Sequence, residues 1–285
     1  METTYSIIIP HFNIHKLLRR LLLSIPRRDD LQIIVVDDCS TKNLDEYEQV
    51  KNEFPYVEFY STGTNGGGGK ARNIGLKRAK GKYLIFADSD DFFSDCFDTL
   101  LCKYKESDYD VVFFNIDCEN NSKEPSSRIK AYRNNFELFQ ESKVIGLEKI
   151  KYSLFCPWGK IISNDFLREN LILCQETRIH NDAMFAAKVS MYAKNIAVEH
   201  SVGYILTEQE KSISKIITPE NLVTRYKVFH CINKMLRDND IHLFYFIEYK
   251  TIIELILRKE WKCVISCLKA YAPNLDGFFY LFKRK

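Results

Sequence analysis

Several features that would assign this chain to a class at once are missing from its sequence. No apolar stretch reaches the ~18 residues that a membrane-spanning helix needs. The N-terminus has no basic segment, and its first apolar run stops at Pro10, so we expect no signal peptide. The nine cysteines form no Cys-x-x-Cys pair and no zinc-like spacing with histidine. We therefore expect reduced, mostly buried thiols in a cytoplasmic protein.

An excess of charge is missing as well. The 285 residues hold 41 Lys and Arg against 38 Asp and Glu, a net charge of +3, which by itself gives no reason to expect a nucleic-acid-binding protein. Apolar residues make up 46% of the chain, enough for a sizeable core. The length predicts one large domain, or one domain with an extension.

The first half of the chain alternates between short β-branched runs and segments with helical spacing. This alternation predicts an α/β fold with a mainly parallel sheet and helices on both faces. After an irregular stretch around 117–146, which includes a predicted surface loop, a helical pattern returns and continues from 219 to the end. The predicted strands are 6–9, 33–36, 57–60, 83–86, 111–114 and 196–206, and the predicted helices are 14–25, 69–79, 95–106, 163–170 and 182–194.

Acidic residues follow two of the predicted strands. Asp37 and Asp38 end the second strand, and Asp88, Asp90 and Asp91 follow the fourth. Ligands of such sheets bind outside the carboxyl ends of the strands, so we expect these five carboxylates at one edge. Their mutual repulsion favours a bound Mn²⁺ or Mg²⁺ ion, which would in turn hold a phosphate. The alternative is that these residues form turns and helix N-caps.

A run of four glycines, 66–69, follows the third strand and opens a helix that carries Lys70 and Arg72. Glycines let a ligand approach the backbone closely, and a basic helix N-terminus favours an anion. Lys70 is not followed by Ser or Thr, so the segment is not a P-loop. Taken alone, it is equally compatible with a flexible turn.

In this order, these segments resemble the family 2 inverting glycosyltransferases, which have the GT-A fold. The resemblance is carried by segments 6–13, 34–41, 65–76 and 81–91. It extends to Pro157-Trp158-Gly159-Lys160, to 181–185 and to 211–214, and so covers about residues 5–215.

The resemblance implies a role for each matching residue. Asp182 is expected to be the catalytic base, and Asp90 to bind the metal. Trp158 and Lys160 are expected on the acceptor side, although Trp158 is equally well explained as a packing residue. Asp182 can also cap the helix that follows it. The residues expected to bind the nucleotide-sugar donor are Pro10, His11, Asn13, Asp38, Arg72, Asp88 and Ser89.

Two departures from the family pattern bear on these roles. Asn181 precedes the expected base where relatives often have an acidic residue, which affects the pKa of the base or its metal contacts. Segment 208–210 lacks an arginine that is often found there, which leaves diphosphate binding by that loop open.

The resemblance predicts a metal-dependent transferase that moves a hexosyl or N-acetylhexosaminyl group. The donor is a nucleotide-diphosphate sugar, most often UDP-linked in the family, and the acceptor is a hydroxyl of a bacterial surface glycan or lipid-linked glycan. A non-catalytic nucleotide-sugar or glycan-binding module is the alternative. A sugar nucleotidyltransferase would need a glycine-rich basic segment after the first strand, where Pro10 to Asn13 stand instead.

We predict a catalytic domain over 1–215, with a nucleotide-sugar half (1–115) and an acceptor half (116–215), followed by a helical extension over 216–285. The extension is basic, and its final residues, 278–285, combine aromatics with cations. Such a segment can contact the inner face of a membrane peripherally, or it can pack on protein.

Overall fold

Buried β-branched runs form the centre of the fold. We describe a computed structural model, which covers residues 2–119, 125–153, 155–177, 179–207, 217–241 and 247–270. Among these residues the strands are β1 (Tyr5–His11), β2 (Leu31–Asp37), β3 (Glu58–Ser61), β4 (Tyr83–Phe86), β5 (Phe92–Phe93), β6 (Val111–Glu119), β7 (Lys160–Ser163) and β8 (Ile196–Thr207). The helices are α1 (His15–Ser24), α2 (Leu44–Glu53), α3 (Gly67–Arg78), α4 (Phe97–Tyr104), α5 (Ser127–Glu141), α6 (Lys143–Tyr152), α7 (Asn164–Glu169), α8 (Ala183–Tyr192), α9 (Pro219–Asp238), α10 (Ile247–Leu257) and α11 (Trp261–Ala270).

The eight strands form one sheet in the order β3-β2-β1-β4-β7-β6-β8-β5. β1 pairs in parallel with both β2 and β4, and β2 pairs in parallel with β3. β6 and β8 are also parallel, whereas β7 runs antiparallel to its neighbours β4 and β6, and β5 runs antiparallel to β8. Because β2, β1 and β4 are adjacent and parallel, their carboxyl ends share one edge of the sheet, as predicted.

The predicted strands and helices of the first half are confirmed, with shifts of a few residues at their ends. The sequence patterns missed α2, β5 and β7, and the irregular stretch around 117–146 in fact contains α5 and the beginning of α6. Ser126 caps α5, its hydroxyl accepting a hydrogen bond from the N–H of Ile129. Part of the loop predicted there, residues 120–124, lies outside the described residues.

The chain divides into two units. The first comprises Met1–Glu176 and Asn181–Glu210, and the second comprises Thr177–His180 and Lys211–Lys285. The predicted domain boundary at 215 falls within 208–216, outside the described residues, and stays a prediction.

The second unit contains α9, α10 and α11, in agreement with the predicted helical extension. Thr218 caps α9, and the three helices share a small core of Leu222, Tyr226, Leu255, Val264 and Cys267. None of the helices in the described ranges is long and apolar enough to cross a membrane. Residues 271–285 are outside those ranges, so the peripheral membrane contact through the tail stays a prediction.

Candidate active site

The Asp38 carboxylate holds the glycine loop at the carboxyl edge of the sheet. Its Oδ1 accepts hydrogen bonds from the Gly66 N–H (2.8 Å) and the Thr62 hydroxyl (2.9 Å), and its Oδ2 accepts one from the Gly67 N–H (2.7 Å). Gly67 has a φ of 81°, a conformation that favours glycine. Asp38 therefore caps the N-terminus of α3, which is the alternative that the sequence left open, and its role at the nucleotide base stays a prediction.

Asn13, at the end of β1, organises the loop after β2. Its Oδ1 accepts hydrogen bonds from the N–H groups of Thr41 (2.8 Å) and Lys42 (2.9 Å), and its own N–H donates to the Ser40 hydroxyl (2.8 Å). The Ser40 hydroxyl donates in turn to Asp37 (2.5 Å). Side chains thus connect the ends of β1 and β2, and the Asp37 carboxylate is occupied by Ser40 of this loop.

His11 lies in the interior, and only 1% of it is exposed. Its Nε2 lies 2.8 Å from His15 Nδ1, and His15 Nε2 lies 2.8 Å from the carbonyl oxygen of Lys42. That carbonyl can only accept, so His15 Nε2 carries the hydrogen, and in neutral rings His11 Nε2 must donate to His15 Nδ1. Burial, with a further contribution from His15, lowers the pKa of His11 to about 3. His11 therefore lies inside the fold, beside half-buried Pro10, and donor binding by these two residues stays a prediction.

Arg72 joins the end of β4 to the turn before α8. Its Nη2 donates to Asp88 Oδ1 (2.5 Å) and its Nη1 donates to Asn181 Oδ1 (2.7 Å). The residue is only 5% exposed. Burial acts to lower the pKa of Arg72, but the charges of Asp88 and Asp182 outweigh it and the pKa is raised. Both terminal nitrogens of this predicted donor-binding residue are thus engaged by protein oxygens.

Asp90 and Asp91 have different environments although they are adjacent. Asp91 is buried and accepts hydrogen bonds from the Tyr204 hydroxyl (2.9 Å) and the Thr207 N–H (2.7 Å). Arg20 Nη2 donates to the Asp90 carbonyl oxygen (2.6 Å), but no side chain of another described residue forms a hydrogen bond or ion pair with the Asp90 carboxylate. Burial, followed by the charge of Asp88, raises the pKa of Asp90 to about 6. Ser89, between Asp88 and Asp90, is buried.

This arrangement bears on the predicted metal ion. The described residues contain no group of three or more His, Cys, Asp or Glu side chains placed to hold a metal, so the five carboxylates do not converge as predicted. The carboxylates are already bound elsewhere: Asp37 and Asp38 by the loops, Asp88 by Arg72 and Asp91 by Tyr204 and Thr207. A Mg²⁺-type ion held by one or two carboxylates and the oxygens of a bound diphosphate needs no such group. Asp90 fits that chemistry, because no described side chain occupies its carboxylate and the nearby Asp88 adds a second negative charge.

Asp182 precedes the first residue of α8 but does not cap it through its side chain. Its partly exposed carboxylate has no hydrogen bond or ion pair with the described residues. Its charge nevertheless acts on Arg72, helping to raise the pKa of that residue. Asp182 is therefore a free carboxylate that lies close to the pair formed by Arg72 and Asp88.

Trp158 and Lys160 are interior residues, each 2% exposed. Lys160 Nζ donates to the carbonyl oxygens of Cys156 (2.6 Å) and Trp158 (3.3 Å), and burial lowers its pKa. The Trp158 ring stacks on Tyr204 with 6.0 Å between ring centroids. The structure therefore gives Trp158 the packing role, and it places neither side chain where an acceptor could contact it.

Two residues that support this site were missed by the sequence analysis. Thr62 directly follows the third strand, so the search for polar residues at strand ends could have found it. The Tyr204 hydroxyl, which donates to Asp91, also accepts a hydrogen bond of 2.8 Å from the N–H of Asp88. These residues are 116 positions apart, and no local signal in the sequence connects them.

Comparison with known proteins agrees with this picture. The model of the family described as "Glycosyl transferase family 2" matches residues 6–171. The chain is 27% identical over 247 residues to the poly(ribitol-phosphate) beta-N-acetylglucosaminyltransferase TarS of Staphylococcus aureus, covering 83% of this chain and 41% of that protein. The chain thus spans about two fifths of the length of this relative.

Two solved structures share the fold. The structure of S. aureus TarS 1–349 in complex with UDP-GlcNAc has a TM-score of 0.64 and 23% identity, covering 99% of this chain and 76% of the other. The mannosyltransferase PcManGT from Pyrobaculum calidifontis, in complex with GDP-Man and Mn²⁺, has a TM-score of 0.56 and 18% identity. The match covers 99% of this chain and 79% of that protein. The expected GT-A fold is thereby confirmed.

Proposed function

This chain belongs to glycosyl transferase family 2, and from that premise we propose that it transfers a sugar from a UDP-linked donor to a hydroxyl of a bacterial surface glycan, with inversion. The observation that carries the proposal is the free Asp182 carboxylate beside the pair of Arg72 and Asp88. A nucleotide-sugar-binding module would have no need for an uncommitted carboxylate at this position.

In this reaction Asp182 acts as the general base. The acceptor hydroxyl oxygen attacks the anomeric carbon of the donor, and Asp182 accepts the hydroxyl proton as the new C–O bond forms. The bond between the anomeric carbon and the diphosphate oxygen breaks, and the bonding electrons leave with the nucleoside diphosphate. A single displacement on the face opposite the leaving group inverts the anomeric centre.

Asn181 is uncharged, whereas relatives often have an acidic residue at this position. An acidic side chain here would place a second negative charge next to Asp182 and would raise the pKa of the base. The Asn181 side chain instead accepts a hydrogen bond from Arg72 without adding charge. Asp182 is thus the carboxylate at this turn that is left to accept the proton of the acceptor hydroxyl.

Asp90 would hold a divalent ion, and Mn²⁺ or Mg²⁺ suits its hard oxygen ligands. When bound, such an ion stabilises the charge that develops on the leaving diphosphate. Asp88, held in place by Arg72, is left to contact the donor ribose through its remaining carboxylate oxygen. The PcManGT complex, which contains Mn²⁺, supports a divalent ion here by analogy of fold.

The donor and acceptor classes are proposed from the relatives. TarS is a poly(ribitol-phosphate) beta-N-acetylglucosaminyltransferase, and its structure was solved in complex with UDP-GlcNAc. We infer a UDP-linked hexose or N-acetylhexosamine as donor, and as acceptor a hydroxyl-rich glycan or polyol-phosphate polymer.

The test is a donor screen followed by transfer assays. UDP-sugars are scored with Mn²⁺ by thermal shift and by release of UDP, and the best donor is used with Asp182→Asn. This variant keeps the shape of the side chain but removes its basicity, so we expect near-normal donor binding and a transfer rate at least ~10²-fold lower.

Asp165→Asn, at an exposed acid on α7, is the matched control and should transfer normally. Turnover of Asp182→Asn within a few-fold of wild type would exclude the base role, and donor binding without any transfer by the wild-type protein would favour the binding module.

A further inference from the structure

A groove of about 430 Å³ lies in the first unit, between the last turn of α3 and the segment that follows α7. Lys77 and Arg168 also line it, and both are exposed. None of the predicted site residues borders it, and the ~15 Å of α3 between Gly67 and Lys77 separates it from the glycine loop. Its apolar walls are formed by Leu76, Leu167, Leu171, Ile172 and Leu173.

Leu171 has an unfavourable conformation at the rim of this groove. It follows α7, where the Ile172 N–H donates to the carbonyl oxygen of Leu167 (3.0 Å), and its φ is +51°. Helix ends of this kind favour glycine or asparagine, because a β-carbon is strained in the left-handed region. The Leu171 side chain is also 82% exposed. Stability would be better served by asparagine here, which points to a role for the leucine outside the fold.

Leu173 is a second protruding apolar residue, 51% exposed, whereas Ile172 between the two leucines is buried. The chain therefore presents two leucines to solvent from one short segment. Monomeric proteins tolerate single exposed leucines, but a pair at the mouth of an apolar groove indicates a contact surface.

The charge around the groove is positive. No acidic residue lines it, and the exposed acids of α7, Asp165 and Glu169, are not among its walls. Beyond Lys77, the same stretch of chain carries Arg78, Lys80 and Lys82. Arg78 lies over the Tyr60 ring, Lys80 pairs with Glu58 (3.6 Å) and Lys82 pairs with Asp108 (3.3 Å). Of the described cations, Lys77 and Arg168 line the groove.

We propose that this groove docks on a lipid bilayer that contains anionic phospholipids. Leu171 and Leu173 enter the boundary between headgroups and acyl chains, and Lys77 and Arg168 contact the lipid phosphates. Protruding apolar side chains flanked by cations are typical of proteins that bind this interface, and the charge of the groove complements an anionic surface. Two leucines and two cations form a small contact, so the binding is reversible and sensitive to salt.

The experiment measures sedimentation of the full chain with vesicles of phosphatidylglycerol and phosphatidylcholine, and with vesicles of phosphatidylcholine alone. We expect binding to the anionic vesicles at low salt that weakens as salt is added. Leu171→Asn should reduce the partition coefficient at least ~5-fold, because it removes a leucine from the lipid contact. Its melting temperature should stay the same or rise, because asparagine tolerates the left-handed conformation.

Matched controls separate this surface from others. Leu23→Asn changes a leucine on α1 that is 58% exposed, and Lys149→Gln changes an exposed lysine on α6; both should bind vesicles as wild type does. Lys77→Gln should weaken binding to anionic vesicles. If Leu171→Asn lowers the melting temperature, Leu173→Ser provides the same test at a position without positive φ.

Three results would overturn the proposal: no binding of the wild-type protein to anionic vesicles, equal binding to neutral vesicles, or undiminished binding by Leu171→Asn. The last result would place any membrane contact elsewhere, such as in the C-terminal tail. Binding of an acidic protein segment in place of vesicles would assign the groove to a protein partner.

Discussion

Arg72 donates a hydrogen bond of 2.5 Å to Asp88, and through its other terminal nitrogen it also holds Asn181, the residue before the proposed base. A single buried guanidinium thus connects Asp88, a carboxylate of the proposed donor site, to the turn that carries Asp182. A lysine has no planar fork and cannot donate to both oxygens with the same geometry.

We predict that Arg72→Lys keeps the charge but loses this alignment. Transfer should fall by an order of magnitude or more, and unfolding free energy by ~1–3 kcal/mol, since one hydrogen bond at a largely buried site is lost. Chemical denaturation and transfer assays measure the two effects. Arg78→Lys, at the exposed end of α3, is the control and should change neither. Normal transfer by Arg72→Lys would show that the bridge does not position the base.

Asp90→Asn tests the metal site. Because no described side chain bonds to the Asp90 carboxylate, the variant should fold normally while it loses the Mn²⁺-dependent part of UDP-sugar binding. Isothermal titration with and without Mn²⁺ measures this difference. Asp95→Asn, at an exposed acid nearby, should bind as wild type does. Retention of metal-dependent binding by Asp90→Asn would place the ion on other ligands.

Gly69→Ala tests the approach of α3 to the segment before α8. A β-carbon at Gly69 would lie 2.0 Å from the carbonyl oxygen of Gln175 and 2.9 Å from Asn181 Cβ. We expect a loss of ~1–3 kcal/mol in unfolding free energy, because backbone must move to relieve the overlap.

Gly66→Ala is the control for this prediction. Its β-carbon would meet only the flexible side chain of Lys70, so the loss should stay below ~1 kcal/mol. Equal stability of the two variants in urea denaturation would contradict the close approach at Gly69.

His11 predicts a pH dependence of stability. Its pKa is about 3 in the folded protein and near 6.5 in the unfolded chain, so between these values the unfolded state binds the additional proton. His11 therefore makes the protein lose stability as the pH falls from 6.5 toward 3. His11→Gln, which retains a donor toward His15, should make the unfolding free energy less dependent on pH in this window.

Urea denaturation at several pH values measures the slope, and His200→Gln is the control. An unchanged slope in His11→Gln would mean that His11 is protonated in the folded state.

The order of strands and helices in the first half of the chain could be predicted because each element has its own local pattern. Ile7 to Ile9 and Ile33 to Val36 are continuous β-branched runs, and such runs form strands that are buried on both faces. β7 could not be predicted in the same way. Its four residues run antiparallel between β4 and β6, and only pairing with distant neighbours makes them a strand.

The candidate site shows the same difference between what a local pattern identifies and what depends on packing between distant residues. The sequence alone nominated Asp38, Asp88 and Asp90, because they follow recognisable strands, and the family resemblance added Asp182. Which of these carboxylates are free was decided only by the tertiary structure. The Asp38 carboxylate binds Gly66 and Gly67 and that of Asp88 binds Arg72, whereas no side chain of another described residue bonds to the carboxylates of Asp90 and Asp182. Hydrogen bonds between residues tens of positions apart in the chain depend on how the elements pack, and no local pattern encodes them. The same reason explains why Trp158 and Lys160, which the motif placed on the acceptor side, lie buried under Tyr132 and Tyr204 and beside Cys156.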